Sequence, residues 1–147
     1  MRRAALLALV LCGCGGAPTW LDLAQQAHAR ADAALAGGDP ASAHAALAAF
    51  VEVPAPASVS REDWRGVMQD VFARLAEIDV GLDPRAAVGW AARGLTLGER
   101  GDVFTANLFL ARGHAEEKLG EDRAAAEDYH RVVLIDEALL NALGGAP

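Results

Sequence analysis

Cysteine is almost missing from this chain of 147 residues: Cys12 and Cys14 are the two it has, and none follows position 14. A disulfide framework is excluded, and so is a thiol nucleophile in the body of the protein. β-Branched residues are also scarce, with two isoleucines and eleven valines against 34 alanines. Alanine is the best helix former and β-branched residues favour strands, so an all-α fold is expected. Aromatics make up 5% of the chain, so its helices must pack through small side chains at close range. Basic charge is short as well: thirteen Lys and Arg face twenty Asp and Glu, for a formal charge of -7, with no basic run beyond Arg2-Arg3. Nucleic acid is thereby excluded as a partner, because phosphate affinity comes from clustered Lys and Arg. The apolar run Ala4–Leu11 is eight residues long. As a helix it would rise about 12 Å, against a hydrocarbon core of roughly 30 Å, so it cannot span a membrane. What remains is enough for one domain, which at this size buries roughly 70% of its unfolded surface.

That short run follows a positive start, Met1-Arg2-Arg3, and has the length of a secretory leader's hydrophobic region. Leu11-Cys12-Gly13-Cys14 comes next. In this segment the chain resembles bacterial lipoproteins, whose lipobox reads Leu, a tolerant position, Gly or Ala, then Cys. The match places the lipidated residue at Cys14. Cys12 fits worse, since the bulky Leu11 precedes it where the family needs a small residue. The resemblance implies a leader over 1–13, cleaved after Gly13, and acyl chains on the thiol and new amine of Cys14. Residues 14–19 then form the lipidated cysteine and a flexible tether, Gly15-Gly16-Ala17-Pro18. Cys12 would leave with the leader, so the mature chain would carry no free thiol, which suits an oxidising compartment. Loss of Arg2 and Arg3 deepens the formal charge from -7 to -9. Anionic lipid would repel such a protein, so attachment to the bilayer rests on acyl chains, of which two or more hold firmly. In the family, Asp directly after the cysteine retains the protein at the inner membrane. Gly15 stands there instead, which favours the outer membrane.

From Thr19 the punctuation is regular. Thr19 with Asp22 reads as a capping-box start, and Gly37-Gly38 as the stop of a first helix ending at Ala36. Asp39-Pro40 opens a second helix, running to about Val53, with proline where its missing N–H costs nothing. "PAPASV" is a loop. Ser60 caps a third helix to about Asp79, whose Trp64, Val67, Val71, Leu75 and Ile78 form one core stripe. Asp83-Pro84 opens a fourth, closing near Gly98. Asp102 opens a fifth, closed by Gly120, and a sixth runs from about Asp122 to Leu140. The helical domain is expected over 20–143 with a tail at 144–147.

Six helices on short loops make three antiparallel pairs, and such pairs must stack to bury their apolar faces. The second helices carry a common series at spacing four then three: Ala43, Leu47, Phe50; Ala87, Ala91, Gly94; Ala125, Tyr129, Val132. With the loops before it, this series resembles the tetratricopeptide repeat. Residues 105–137 match best, through Phe109, Gly113, Gly120, Ala125, Tyr129 and Asp136. Arg112, Glu116 and Glu137 stand where that family has Leu, Tyr and Pro. Equivalent alanines lie 44 and then 38 residues apart, longer than the usual period of about 34. The resemblance implies a right-handed tetratricopeptide-like solenoid; a closed helical bundle is the alternative.

Catalytic patterns are missing from the mature chain, which has neither a Gly-x-Ser-x-Gly elbow nor a phosphate-binding glycine loop after a strand. No enzyme activity and no cofactor are expected. Glu127-x-x-His130 has metal-bundle spacing but no second copy, so no metal ligands are assigned. The acidic run Glu116, Glu117, Glu121, Asp122, Glu127, Asp128 reads as a solvated face, interleaved with Lys118 and Arg123. In a stack of helix pairs the first helices line the concave side. The repeat alignment places Gln25, His28 and Asp32 there, with Asn107, Leu110, His114, Glu117 and Lys118, as partner-binding residues. The reading is a membrane-anchored envelope lipoprotein that binds another envelope protein or peptide, as pilotin-like or accessory subunits do. The alternatives are a purely structural subunit joined through the apolar end of helix six, and a periplasmic metal- or small-molecule-binding bundle.

Overall fold

The structure is a computed structural model and describes residues 17–144. The proposed leader, Cys14, Gly15 and Gly16 lie outside the described residues. Six helices follow one another: α1 (Trp20–Ala36), α2 (Pro40–Val51), α3 (Arg61–Leu82), α4 (Pro84–Thr96), α5 (Val103–Leu119) and α6 (Asp122–Gly144). The fold is all-α, with no strand among the described residues.

Local chemistry sets the helix starts. Thr19 and Asp22 form a reciprocal capping box, the Thr19 N–H donating to Asp22 at 2.8 Å and the Asp22 N–H to Thr19 Oγ1 at 3.1 Å. Asp39, Ser60, Asp83 and Asp102 each accept from an amide of the following helix's first turn, and Pro40 and Pro84 stand at the first helical position. Each such cap is worth about 1 kcal/mol. Gly120 ends α5 at φ 76°, a left-handed turn that costs glycine little. Three ends move from the sequence expectation. α2 stops two residues early, α3 runs on through Gly81 to Leu82, and α6 continues to Gly144, taking one residue from the expected tail. In α3 the stop is Asp83-Pro84, since a residue before proline is pushed out of the helical region.

Each helix packs on its chain neighbours, and α3 also packs on α5. The result is a row of antiparallel pairs, in which none of the principal packings joins α1 or α2 to α5 or α6. The core is built from small residues. Ala31, Ala43, Ala76, Ala87, Ala91 and Ala115 are fully buried, with Leu47, Val71, Leu75 and Leu108 between them. The second-helix series faces inward as expected, although Tyr129 and Val132 are only half-buried. Two glycines mark the closest crossings. A Cβ on Gly94 would lie 2.8 Å from one methyl of the fully buried Leu108 and closer still to the other. One on Gly113 would lie 2.7 Å from the Tyr129 ring.

The single core stripe expected on α3 is too narrow. This helix touches α2, α4 and α5, and buries Arg65, Met68, Gln69, Phe72, Ala73, Ala76 and Asp79 besides Val71 and Leu75. Asp79 joins three helices: it lies 2.9 Å from His44 Nδ1 on α2 and accepts from Trp90 Nε1 on α4 at 3.0 Å.

Candidate functional site

α1 stands apart from α3. Where α3 lies flush on α5, α1 reaches α3 through the Arg74–Asp32 ion pair and through His28 Nε2, 3.4 Å from Asp70. The Pro-rich stretch between α2 and α3 packs its own Val53, Ala55 and Val59 against the core and accepts from Trp20 Nε1 at Val53 O. The first pair is held by that loop and by α2, and a wedge opens between α1 and α3.

The wedge is a groove of about 730 Å³, within the range of sites that accept a ligand or a peptide side-chain cluster. One wall is α1, through Leu21, Ala24, Gln25 and His28. The floor is α3, through Gly66, Val67 and Asp70, with Arg65 beneath. The far wall is the α4–α5 loop, with Phe104 at its edge.

A buried polar chain fixes that far wall. Gln69 Nε2 donates to the carbonyls of Gly94 at 3.1 Å and Gly98 at 2.9 Å, tying down the end of α4, where the Gly94 carbonyl also accepts from the Leu97 amide at 3.2 Å. Arg65 donates to Gln69 Oε1 at 2.8 Å and to Asp102 at 3.1 Å, and Asp102 accepts from the Thr105 amide at 2.9 Å. Burial would push the Asp102 carboxyl up, but bonds from Thr105 and Arg65 outweigh it and hold the group below its ordinary value. His28 shows the opposite balance. Burial, the largest influence, holds its imidazole below the ordinary value despite the charge of Asp70. His28 is therefore neutral at pH 7.

The residues expected to bind a partner divide. Gln25 and His28 line the groove. Asp32 lies a turn further along α1, paired with Arg74. Asn107, Leu110 and His114 line a second depression of about 180 Å³ with Asp70, Ala73, Arg74 and Glu77 of α3. Asp70 belongs to both, so the two form one continuous face across α1, α3 and α5. Glu117 instead accepts from Tyr129 Oη at 2.8 Å, and Lys118 lines neither depression. The α3 side chains at the centre escaped sequence reading. Asp63, Gly66, Asp70, Arg74 and Glu77 recur at three and four, a polar stripe beside the core stripe that could have shown them.

The solvated-face reading of the acidic run fits Glu117, Glu121, Asp122 and Glu127, which are exposed, with Glu127 paired to Arg123, and is corrected at two residues. Glu116 and Asp128 are buried, and Arg112 grips Asp128 with two bonds of 2.6 and 2.7 Å. Burial first, then the Asp128 charge, pushes Glu116 above its ordinary value against the pull of Arg112. The polar Arg112, where the repeat family has Leu, thus locks α5 onto Asp128 of α6, and Glu116, where it has Tyr, lies 3.8 Å from the same guanidinium. The Glu127-x-x-His130 pair is taken apart: Glu127 accepts from Arg123 at 3.1 Å, and His130 is exposed. Among the described residues no three His, Cys, Asp or Glu side chains converge as a metal site would need, and no helix is long and apolar enough to cross a membrane. The second apolar surface lies on α6, where Val133, Leu134, Leu140 and Leu143 are exposed.

No family model, curated protein or solved structure matches the chain.

Proposed function

We propose that this protein is an envelope lipoprotein, held to a bilayer by acylated Cys14, whose helical row docks a segment of another envelope protein along the α1–α3–α5 face. The tetratricopeptide-like reading belongs to the same proposal, with the work of a pilotin-like or accessory subunit and an outer-membrane address. The carrying observation is the groove: a preformed, part-apolar cleft walled by three elements, on the face where first helices of stacked pairs gather. A photo-crosslinking residue in place of Val67, in intact cells, tests it. A discrete adduct that disappears when Gly66→Leu fills the floor supports the proposal; an adduct unchanged by Gly66→Leu refutes it.

A second reading has its own observation. The exposed leucines of α6 give an edge by which a purely structural subunit could join a complex. Leu140→Glu with Leu143→Glu would then abolish co-purification of the partner while Gly66→Leu left it intact.

A further inference from the structure

We infer that the groove between α1 and α3 takes a basic segment: two Lys or Arg side chains flanking a small apolar residue. This inference rests on the docking proposal above and gives the occupant its chemistry.

The charges lining the cleft do not cancel. Glu62 is bonded to Arg100 at 2.7 Å, and Asp102 to Arg65 at 3.1 Å, which accounts for both arginines of the lining. Asp63 and Asp70 are left over. Asp63 accepts from Ser60 Oγ at 2.6 Å and has no cation within ion-pair reach among the described residues. Asp70 has only His28, which burial keeps neutral. Both carboxylates belong to the floor helix, seven residues apart, which is two turns or about 10 Å along its axis. The apolar part of the cleft lies with them: Gly66 and Val67 between, Leu21 and Ala24 on one wall, Phe104 on the other. Two uncompensated negative charges thus bracket an apolar strip. A segment with cations at that separation would neutralise both carboxylates and bury its central residue. An acidic segment would meet repulsion at each end, strengthened by the chain's formal charge of -7.

Gly66 makes the inference testable without dismantling the fold. A Cβ there would lie 3.6 Å from the Phe104 ring, ordinary contact, so alanine fits and a longer side chain must project into the cleft. Random twelve-residue peptides displayed on phage are selected on the purified protein, with Gly66→Leu as the counter-target and Gly66→Ala as the folding control. The expected result is enrichment, against the counter-target, of sequences with two or more Lys or Arg around an apolar residue. The strongest peptide, labelled for fluorescence anisotropy, should bind Asp63→Asn/Asp70→Asn about tenfold more weakly, as expected for two ion pairs at the surface of an open cleft. Asparagine at 63 keeps an acceptor for Ser60. Enrichment of neutral or acidic sequences blocked by Gly66→Leu would leave the groove standing and overturn its preference for cations. No enrichment over the counter-target would overturn both.

Discussion

Gly94→Ala offers the sharpest test of how these helices are packed. The residue lies inside α4, where alanine is better than glycine by about 1 kcal/mol on helix propensity alone. Against that gain stands Leu108 of α5, fully buried, with one methyl 2.8 Å and Cγ 3.2 Å from the new Cβ. Because Cγ is also too close, turning a methyl does not relieve the overlap; the whole side chain or the α4–α5 spacing must shift. The shift is resisted by Gln69, bonded to the Gly94 and Gly98 carbonyls on the same stretch of backbone. Overpacking of this kind costs roughly 1–3 kcal/mol, and the full burial of Leu108 argues for the upper end. The net expectation is a loss of about 1–2 kcal/mol, or roughly 3–8 °C in Tm for a domain of this size. Gly89→Ala, on the same helix, is the matched control. Nothing stands within 4 Å of its Cβ, so it should gain about the propensity difference. Urea unfolding followed by circular dichroism compares the two. Combining Gly94→Ala with Leu108→Ala should cost less than the sum of the single changes, since the second removes the obstacle to the first. If Gly94→Ala stabilises as much as Gly89→Ala, the close α4–α5 crossing is wrong.

Three further outcomes are expected. Arg112→Leu, which places leucine where the repeat family has it, should destabilise by about 3–5 kcal/mol at neutral pH by stranding two buried carboxylates. Burial first, and then the Asp128 charge, hold the folded Glu116 carboxyl above its ordinary value, so the native state takes up that proton before the unfolded chain does and part of the stability should return as the pH falls, read by urea unfolding at pH 7.5 and 5; a pH-independent loss would show that Glu116 is hydrated. Tyr129, the one tyrosine, is pushed up to about 12 by burial and by its bond to Glu117, so its absorbance at 295 nm should titrate well above that of the unfolded chain. The native state keeps this proton longer, so its stabilising contribution is present below pH 10 and lost as pH rises towards 12, and Glu117→Gln should bring the midpoint down. Cys14→Ser should abolish incorporation of labelled palmitate and release the protein from pelleted membranes; a serine variant that still pellets, with its leader still trimmed, refutes the anchor.

The helix starts were legible because each is written in one to four adjacent residues: Thr19 with Asp22, Asp39-Pro40, Ser60 with Asp63, Asp83-Pro84. The inward face of the second helices was legible too, since an alanine followed by apolar or small residues at spacing four and three leaves few alternatives. The polar interior was not. Nothing adjacent to Gln69 says that it will close the end of α4, 25 residues away, and nothing near Asp79 says that a histidine 35 residues earlier will meet it. Within the acidic run, Glu116 and Asp128 misled for the same reason. Lys118 and Arg123 are at helical ion-pairing distance in sequence, whereas the residue that neutralises Asp128 lies sixteen positions back on the facing helix. The cleft was half visible: Gln25 and His28 came from the repeat alignment, but its floor needed α3 to be recognised as a first helix with two useful faces.

The joints of the row are locked separately: His44 and Trp90 on Asp79, Gln69 with Arg65 and Asp102, Arg112 on Asp128. Each fastener spans only adjoining members. Wear at one end, such as a drifting α6, therefore leaves the far cleft with its walls in place. Selection could remodel either extremity, lengthening the stack or reshaping its mouth, without renegotiating the middle.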